Sequence, residues 1–300
     1  MTQCSGKPRR NRGNPFPQTL PRNIRRSYLH EPPAGQREQP PVCRMAAYLG
    51  PPISAEQFML RPVHNMLAQA RAPQETCYTK VNADGYGIGW YDVEGDPALY
   101  RSALPMWADS NLPYLARSLE SDVWLANVRS ATGGLSTGID NTQPFLHEDL
   151  LFMHNGFIRQ FREVVRPALH RFLAPDIQAD IRGDTDSEYL FALLRHLLTQ
   201  DEELSIEEAM ATLFEVLGQW LDELPAMLNL LVCDGESLYA ARHAVNEVCP
   251  SMYYTTDDEA FPGAQLIASE RLTDSDYWTA VPEHALLILH PDSPPELLEL

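Results

Sequence analysis

Apolar and polar positions along this chain follow two rhythms, and the rhythm changes twice. Strand-like runs come first. Residues 43–49 are apolar apart from Arg44 and close on Gly50, Pro51 and Pro52, which predicts a buried first strand that stops at the prolines. Residues 54–70 then take a helical period through Phe58, Leu60, Met66 and Leu67, with Ser54 as N-cap, Gln57 three residues on, and a break near Pro62. A turn-rich stretch from Asn82 runs into an aromatic strand at Trp90 and Tyr91. Residues 123–128 and 150–153 read as further strands, each followed by a polar cluster. The period lengthens over 157–172, 186–198 and 205–221, which predicts three helices, the last opened by a Ser205/Glu208 capping box and ended before Pro225. It shortens again over 226–233, 237–242, 251–255, 265–269 and 285–290, with Asp234-Gly235 as a hairpin turn between the first two. Strands, then helices, then strands is the order of an α+β layered domain rather than of repeating βαβ units.

Residues 1–42 stand outside this pattern, with eight Lys/Arg, two Asp/Glu, eight prolines and no run long enough for an element. The chain is therefore expected to divide into a 1–42 leader and one folded domain over 43–300. Val42 stands where a GTG start codon would be translated as an internal valine. The leader is accordingly expected to be a mis-assigned start or a removed propeptide, which would leave Cys43 first in the chain with a free α-amine.

Charge narrows the class of partner. The net formal charge of −18 hides a body with 15 basic against 39 acidic residues once the leader is set aside. So acidic a surface repels phosphate backbones, and nucleic acid is not expected as a partner. No apolar run reaches the ~20 residues that span a bilayer, and the leader lacks the apolar core of an export signal, so the cytoplasm is the expected compartment and no membrane partner is expected. Five cysteines, Cys4, Cys43, Cys77, Cys233 and Cys249, form no CxxC pair and no metal-ligand spacing with the nine histidines. Neither disulfides nor a structural metal are expected, and no cofactor is implied. One reactive thiol among inert buried ones is the remaining expectation.

Four polar clusters lie where predicted strands end or a helix begins. These are Cys43, residues 127–133 with Asn127, Arg129 and Thr132, the run His154-Asn155-Gly156, and residues 183–188 with Asp184, Thr185 and Asp186. Singly each has a plainer reading: a cysteine of the core, a salt-bridge arginine, an Asn-Gly turn, a helix cap. Together they hold a nucleophile, a cation, an amide beside a glycine N–H, and a carboxylate, which suits attack on the amide of an amino-acid substrate.

With these residues in hand, the chain resembles the class II, N-terminal-cysteine glutamine amidotransferases of the Ntn-hydrolase superfamily. The likeness rests on Cys43-Arg44 followed by Ala47-Tyr48-Leu49-Gly50, on the stretch from Asn82 to Tyr91, on Val128 to Thr132, Asn141 to Phe145, His154 to Gly156 and Thr185 to Glu188, all in the family's order. Residues 268–272 are a weaker later landmark. The stand-alone members of ergothioneine biosynthesis, which cut a γ-glutamyl amide from a sulfoxide intermediate, are the nearest likeness. The resemblance implies a four-layer αββα sandwich, Cys43 as nucleophile with its own α-amine as base, and Asn155 and Gly156 as oxyanion hole. It further implies Arg129 and Thr132 on the substrate α-carboxylate and Asp186 on the α-ammonium. The substrate would be a small γ-glutamyl compound. A subunit passing ammonia to a separate synthase, or a non-catalytic binding module, are the alternatives, and a homo-oligomer is compatible with either. Two departures bear on specificity: Asn127 stands where many members have histidine, and Gln143 where Asn-x-His-Pro is frequent.

Overall fold

Strand alternation decides which residues meet in the interior. The structure, a computed structural model, describes residues 43–75, 81–131 and 138–300. Its first half supplies β1 (Arg44–Ser54), β2 (Tyr86–Tyr91), β3 (Pro97–Ser102), β4 (Glu120–Val128), β5 (Phe145–His147) and β6 (Leu150–Ile158). Its second half adds β7 (Ala226–Cys233), β8 (Leu238–Arg242), β9 (Ala244–Val245), β10 (Tyr253–Thr255), β11 (Gln265–Ala268), β12 (Thr279–Ala280), β13 (Ala285–Leu289) and β14 (Glu296–Glu299). These pair into two antiparallel sheets, ordered β12-β10-β11-β1-β4-β2-β3 and β14-β13-β8-β7-β6-β5, with β9 on β7.

Met45, Ala47 and Leu49 of β1 point to one side with Val123 and Leu125 of β4, and there they meet Leu151, Met153, Leu231 and Cys233 of the second sheet. Ala46, Tyr48, Trp124 and Ala126 point to the other side, beneath α1 (Ala55–Met59), α2 (Met66–Arg71) and α3 (Leu112–Ser118). On the second sheet Phe152, Leu228, Leu230 and Val232 face outward under a helical layer. That layer holds α4 (Arg166–Phe172), α5 (Pro175–Asp180), α6 (Asp186–Gln200) and α7 (Ile206–Leu221). Three apolar layers thus separate four layers of structure, the αββα order expected from the resemblance. Each buried Leu, Met or Phe contributes about 1.5–3 kcal/mol to that stacking.

The predicted helices and central strands are present, with both capping boxes closed at Ser54/Gln57 and Ser205/Glu208 and Gly235 turning the 233–238 hairpin at φ +93°. Three boundaries differ. The first strand does not stop at the prolines: β1 runs to Ser54 with its register to β4 shifted between Leu49 and Ile53, so Pro51 and Pro52 occupy an exposed irregularity where a missing N–H costs no ladder bond. The helix expected from 157 starts later, because the β6–β7 ladder holds Phe157 and Ile158 opposite Met227 and Ala226. A wide turn at Phe161–Val165 then leads into α4. The strand expected at 150–153 is accordingly nine residues long, and His154-Asn155-Gly156 lies inside it rather than at a turn.

Candidate active site

Register brings Cys43 and Arg129 side by side. The β1–β4 ladder pairs Arg44 with Val128 and Met45 with Asn127, so one step further Cys43 stands opposite Arg129. Both continue the rows that face the space between the sheets. The Cys43 thiol is buried, 3.9 Å from the Ser130 carbonyl. Arg129 is 3% exposed, and its strand end is clipped to the residues before β2. Arg129 N–H donates to Gly85 O (2.9 Å), Asp84 N–H donates to Arg129 O (3.0 Å), Arg129 Nη1 reaches Asp84 O (3.4 Å), and the Asp84 carboxylate accepts from Ala131 N–H (2.8 Å).

Across the layer, β6 runs past β1. Asn155 shares the inward face of Met153 and Leu151, and Asn229 stands opposite it on β7. Asn127, two residues from Leu125, points inward from the first sheet. These three buried asparagines continue the inward-facing rows at the end of the apolar layer, and among the described residues neither side-chain atom of Asn127 or of Asn155, nor Asn229 Oδ1, has a hydrogen-bond partner. An unpaired buried polar group costs ~1–3 kcal/mol, so three together mark a place built to meet polar ligand atoms.

The edge of β6 shows how the Gly156 backbone is prepared. Leu228 N–H donates to His243 O, away from β6, so the facing residue Gly156 directs its own N–H to the opposite edge. On that edge His154 N–H is taken by Gln143 Oε1 (2.6 Å) and Ile158 N–H by Asp186 Oδ2 (2.8 Å). Gly156 N–H lies between them with no hydrogen-bond partner among the described residues. Gln143 Nε2 also donates to His154 O at 3.0 Å, so one side-chain amide acts as a short extra strand beyond β5. Glycine is required at 156 by packing rather than by φ: a Cβ there would lie 1.9 Å from Met227 O.

His154 is turned the other way. On the outer face of β6, its Nε2 donates to Met227 O (3.0 Å) and its Nδ1 accepts from Ser187 Oγ (2.9 Å), which fixes the neutral tautomer. Burial, against smaller opposing effects of Asp186 and the Met227 carbonyl, holds its pKa below the usual histidine value. It is thus a pin between β6, β7 and α6. Asp186 opens α6 after the cap Thr185, and its carboxylate accepts from Ile158 N–H and Ser187 N–H, each at 2.8 Å.

Charge around the thiol is mixed. Burial raises the Cys43 pKa, Arg129 and Arg44 pull it back down, and Asp186 pushes it up. The nearness of Asp186 to the thiol in this sense joins it to the Cys43–Arg129 end. Thr132 lies outside the described residues. Sequence reasoning passed over Arg44, Asp84 and Asn229. Arg44 is 1% exposed, and its Nε lies 3.6 Å from Glu270. Burial lowers the Arg44 pKa and Glu270 raises it, while Arg44 Nε and Nη2 lack hydrogen-bond partners among the described residues. A charged residue inside an apolar strand run, and a lone asparagine inside 226–233, were the signals available.

The model of the family "Glutamine amidotransferases class-II" matches residues 67–264. The gamma-glutamyl-hercynylcysteine sulfoxide hydrolase of Mycolicibacterium smegmatis is 30% identical over 246 residues, covering 82% of this chain and 95% of that one. The probable glutamine amidotransferase DUG3 of Saccharomyces cerevisiae is 28% identical over 302 residues, covering 83% and 84%. Among solved structures, a glutamine aminotransferase class-II domain protein from Silicibacter pomeroyi superposes with TM-score 0.61 at 26% identity, over 86% of this chain and 99% of that one. The glutamine phosphoribosylpyrophosphate amidotransferase of B. subtilis shares the fold, with TM-score 0.60 at 16% identity, over 86% and 49%.

Proposed function

The chain belongs to the class-II glutamine amidotransferases and is an enzyme acting on an amide C–N bond, and from that premise we propose that it hydrolyses γ-glutamyl amides through a thioester on Cys43. The observation that carries the reading is the Cys43–Arg129 pair set against the unpaired Asn155 amide and the Gly156 N–H.

The working form begins at Cys43. Its α-amine, ordinarily titrating at ~7.7–8.0, takes the proton of a thiol that ordinarily titrates near ~8.5, so the transfer is nearly balanced. His154, committed to Met227 O and Ser187, is not available for that role. The thiolate attacks the γ-carbonyl. Asn155 Nδ2–H and Gly156 N–H receive the oxyanion. The Cys43 ammonium returns the proton to the departing nitrogen as the C–N bond breaks, and water then cleaves the thioester to glutamate and the free thiol. Arg129 and Thr132 hold the substrate α-carboxylate and Asp186 the α-ammonium.

The leaving amine is a cysteine-derived sulfoxide compound, as the name of the M. smegmatis relative supports for this chain. A polar cavity of about 490 Å³, lined by Arg101, His147, Arg182, Glu188 and Arg195 among others, lies apart from Cys43, Arg129, Asn155 and Asp186 and does not bear on the choice of amine. Arg101 pairs with Gly87, Gly87 with Asn127, and Asn127 with Met45, which sets the cavity three strand spacings, about 14 Å, from β1 on the same level. The relative named a probable glutamine amidotransferase supports the other reading, in which glutamine is cut and ammonia passes to a synthase. The deciding experiment assays a form of the chain beginning at Cys43 with glutamine and with a γ-glutamyl-cysteine sulfoxide conjugate side by side. Preference for the conjugate is expected, and preference for glutamine would install the second reading. Inactivity on both would leave the binding module.

A further inference from the structure

A second cluster of ligating side chains lies where β8, β9 and β13 meet. We propose that Cys249, Glu283 and His284 form a site for a zinc-class divalent ion. The thiol, a carboxylate oxygen and an imidazole nitrogen of these three all lie within 4.8 Å of one another, with Cys249 buried and Glu283 and His284 exposed. His243 stands beside the group rather than in it, its Nδ1 3.1 Å from His284 Nδ1. One thiolate, one imidazole and one carboxylate, with water in the fourth position, are the donor set of zinc rather than of calcium or magnesium. His284 also holds a left-handed backbone, φ +57°, at the start of β13, a conformation that costs a histidine free energy and turns it toward its neighbours. These groups also have protein contacts that an ion would displace or share: His243 on His284, the His284 backbone on the Cys249 thiol, and Arg242 Nη2 on Glu283 Oε1 at 3.5 Å.

The spacing of these residues matches no short metal motif, which is why the sequence gives no hint of the site. Its position gives it a task. His243 O accepts from Leu228 N–H, and the residues after Cys249 hold Asn229, whose Nδ2 donates to Ser251 O (3.1 Å) and Pro250 O (3.4 Å). Leu228 and Asn229 stand opposite Gly156 and Asn155. An ion that ties Cys249 to His284, which His243 contacts, therefore fixes the strand on which the β6 site rests, whatever reaction that site performs.

The test is a titration of the full chain, stripped with a chelator, with Co²⁺ alone. One equivalent is expected to bind with a thiolate-to-cobalt charge-transfer absorption, to be displaced by Zn²⁺, and Zn²⁺ is expected to raise the melting temperature. Cys249→Ser should abolish the absorption, and His284→Ala and the surface change Glu283→Gln should each weaken Co²⁺ binding at least about tenfold. Cys43→Ala should leave the band intact. Absence of stoichiometric binding, a band that survives Cys249→Ser, or one that vanishes with Cys43→Ala would overturn the proposal; should Cys249→Ser fail to fold by circular dichroism, Glu283→Gln and His284→Ala decide it.

Discussion

At the residue scale the site is a set of unsatisfied groups, and this sets what single substitutions should do. Removing the Cys43 sulfur, as Cys43→Ala, is expected to lower kcat by on the order of 10³-fold or more while leaving the thermal transition within a few degrees, checked by γ-glutamyl hydrolysis and a melting curve. Asn155→Ala is expected to lower kcat about 10²–10³-fold with little change in KM, since the amide meets charge that develops only in the transition state. It should not destabilise, because the native side chain has no partner to lose among the described residues. An equal loss in KM alone would sink that role. Burial raises the Cys43 thiol pKa, and on the proposed mechanism the neutral α-amine takes its proton. The pH profile of kcat/KM should therefore fall about tenfold per unit below the ~7.7–8.0 at which that amine ionises. Cys43, Arg129, Asn155 and Asp186 could be named as candidates from the sequence because each is chemically conspicuous in its run. Arg44 and Asn229 were not, since a polar residue in an apolar strand declares its role only once its face is known.

At the element scale β6 carries the largest structural load. A Cβ on Gly156 would push against Met227 O, backbone against backbone, so no rotamer can relieve it. Gly156→Ala is expected to cost at least about 3 kcal/mol, seen as a lost or strongly lowered thermal transition. Gln143→Ala removes both bonds to the His154 peptide, worth about 2 kcal/mol together, and is expected to lower activity as well by loosening the edge where Gly156 N–H is presented. The register sets Cys43 opposite Arg129, yet the cluster expected to close a strand at Asn155-Gly156 is a strand interior. Local propensity favours the turn; the β7 ladder, formed with residues more than seventy positions away, overrides it. Short edge elements such as β3, half-buried along its length, and the fully exposed β14 carry no alternation to read.

At the scale of the whole molecule, charge and burial set the response to acid. His147, His154 and His196 all have pKa values lowered chiefly by burial. A histidine depressed in the folded state binds its proton more readily when unfolded. Stability from these three is therefore complete above the unfolded value of ~6.5 and is lost as pH falls below it, by up to ~1.4 kcal/mol per unit of depression. Melting curves at pH 7.5, 6.5 and 5.5 should fall on the acid side, and His154→Gln should flatten that fall if the fold is kept. We further expect protein isolated from its own host to begin at Cys43, the 1–42 leader being absent; an active chain of intact 300-residue mass would remove the α-amine from the mechanism.

What the sequence by itself determined was the α+β class, the central strands and helices, and the chemical types gathered for the site, because periodicity and residue chemistry are local properties. Only the tertiary structure decided that Cys43 stands beside Arg129, that Asn127, Asn155 and Asn229 are all buried and face inward, that His154 faces away, and that Cys249 meets Glu283 and His284. Those outcomes depend on register and on which face of a strand turns inward. A shift of one residue would reverse every face, and register is fixed by pairings that no local window of the chain contains.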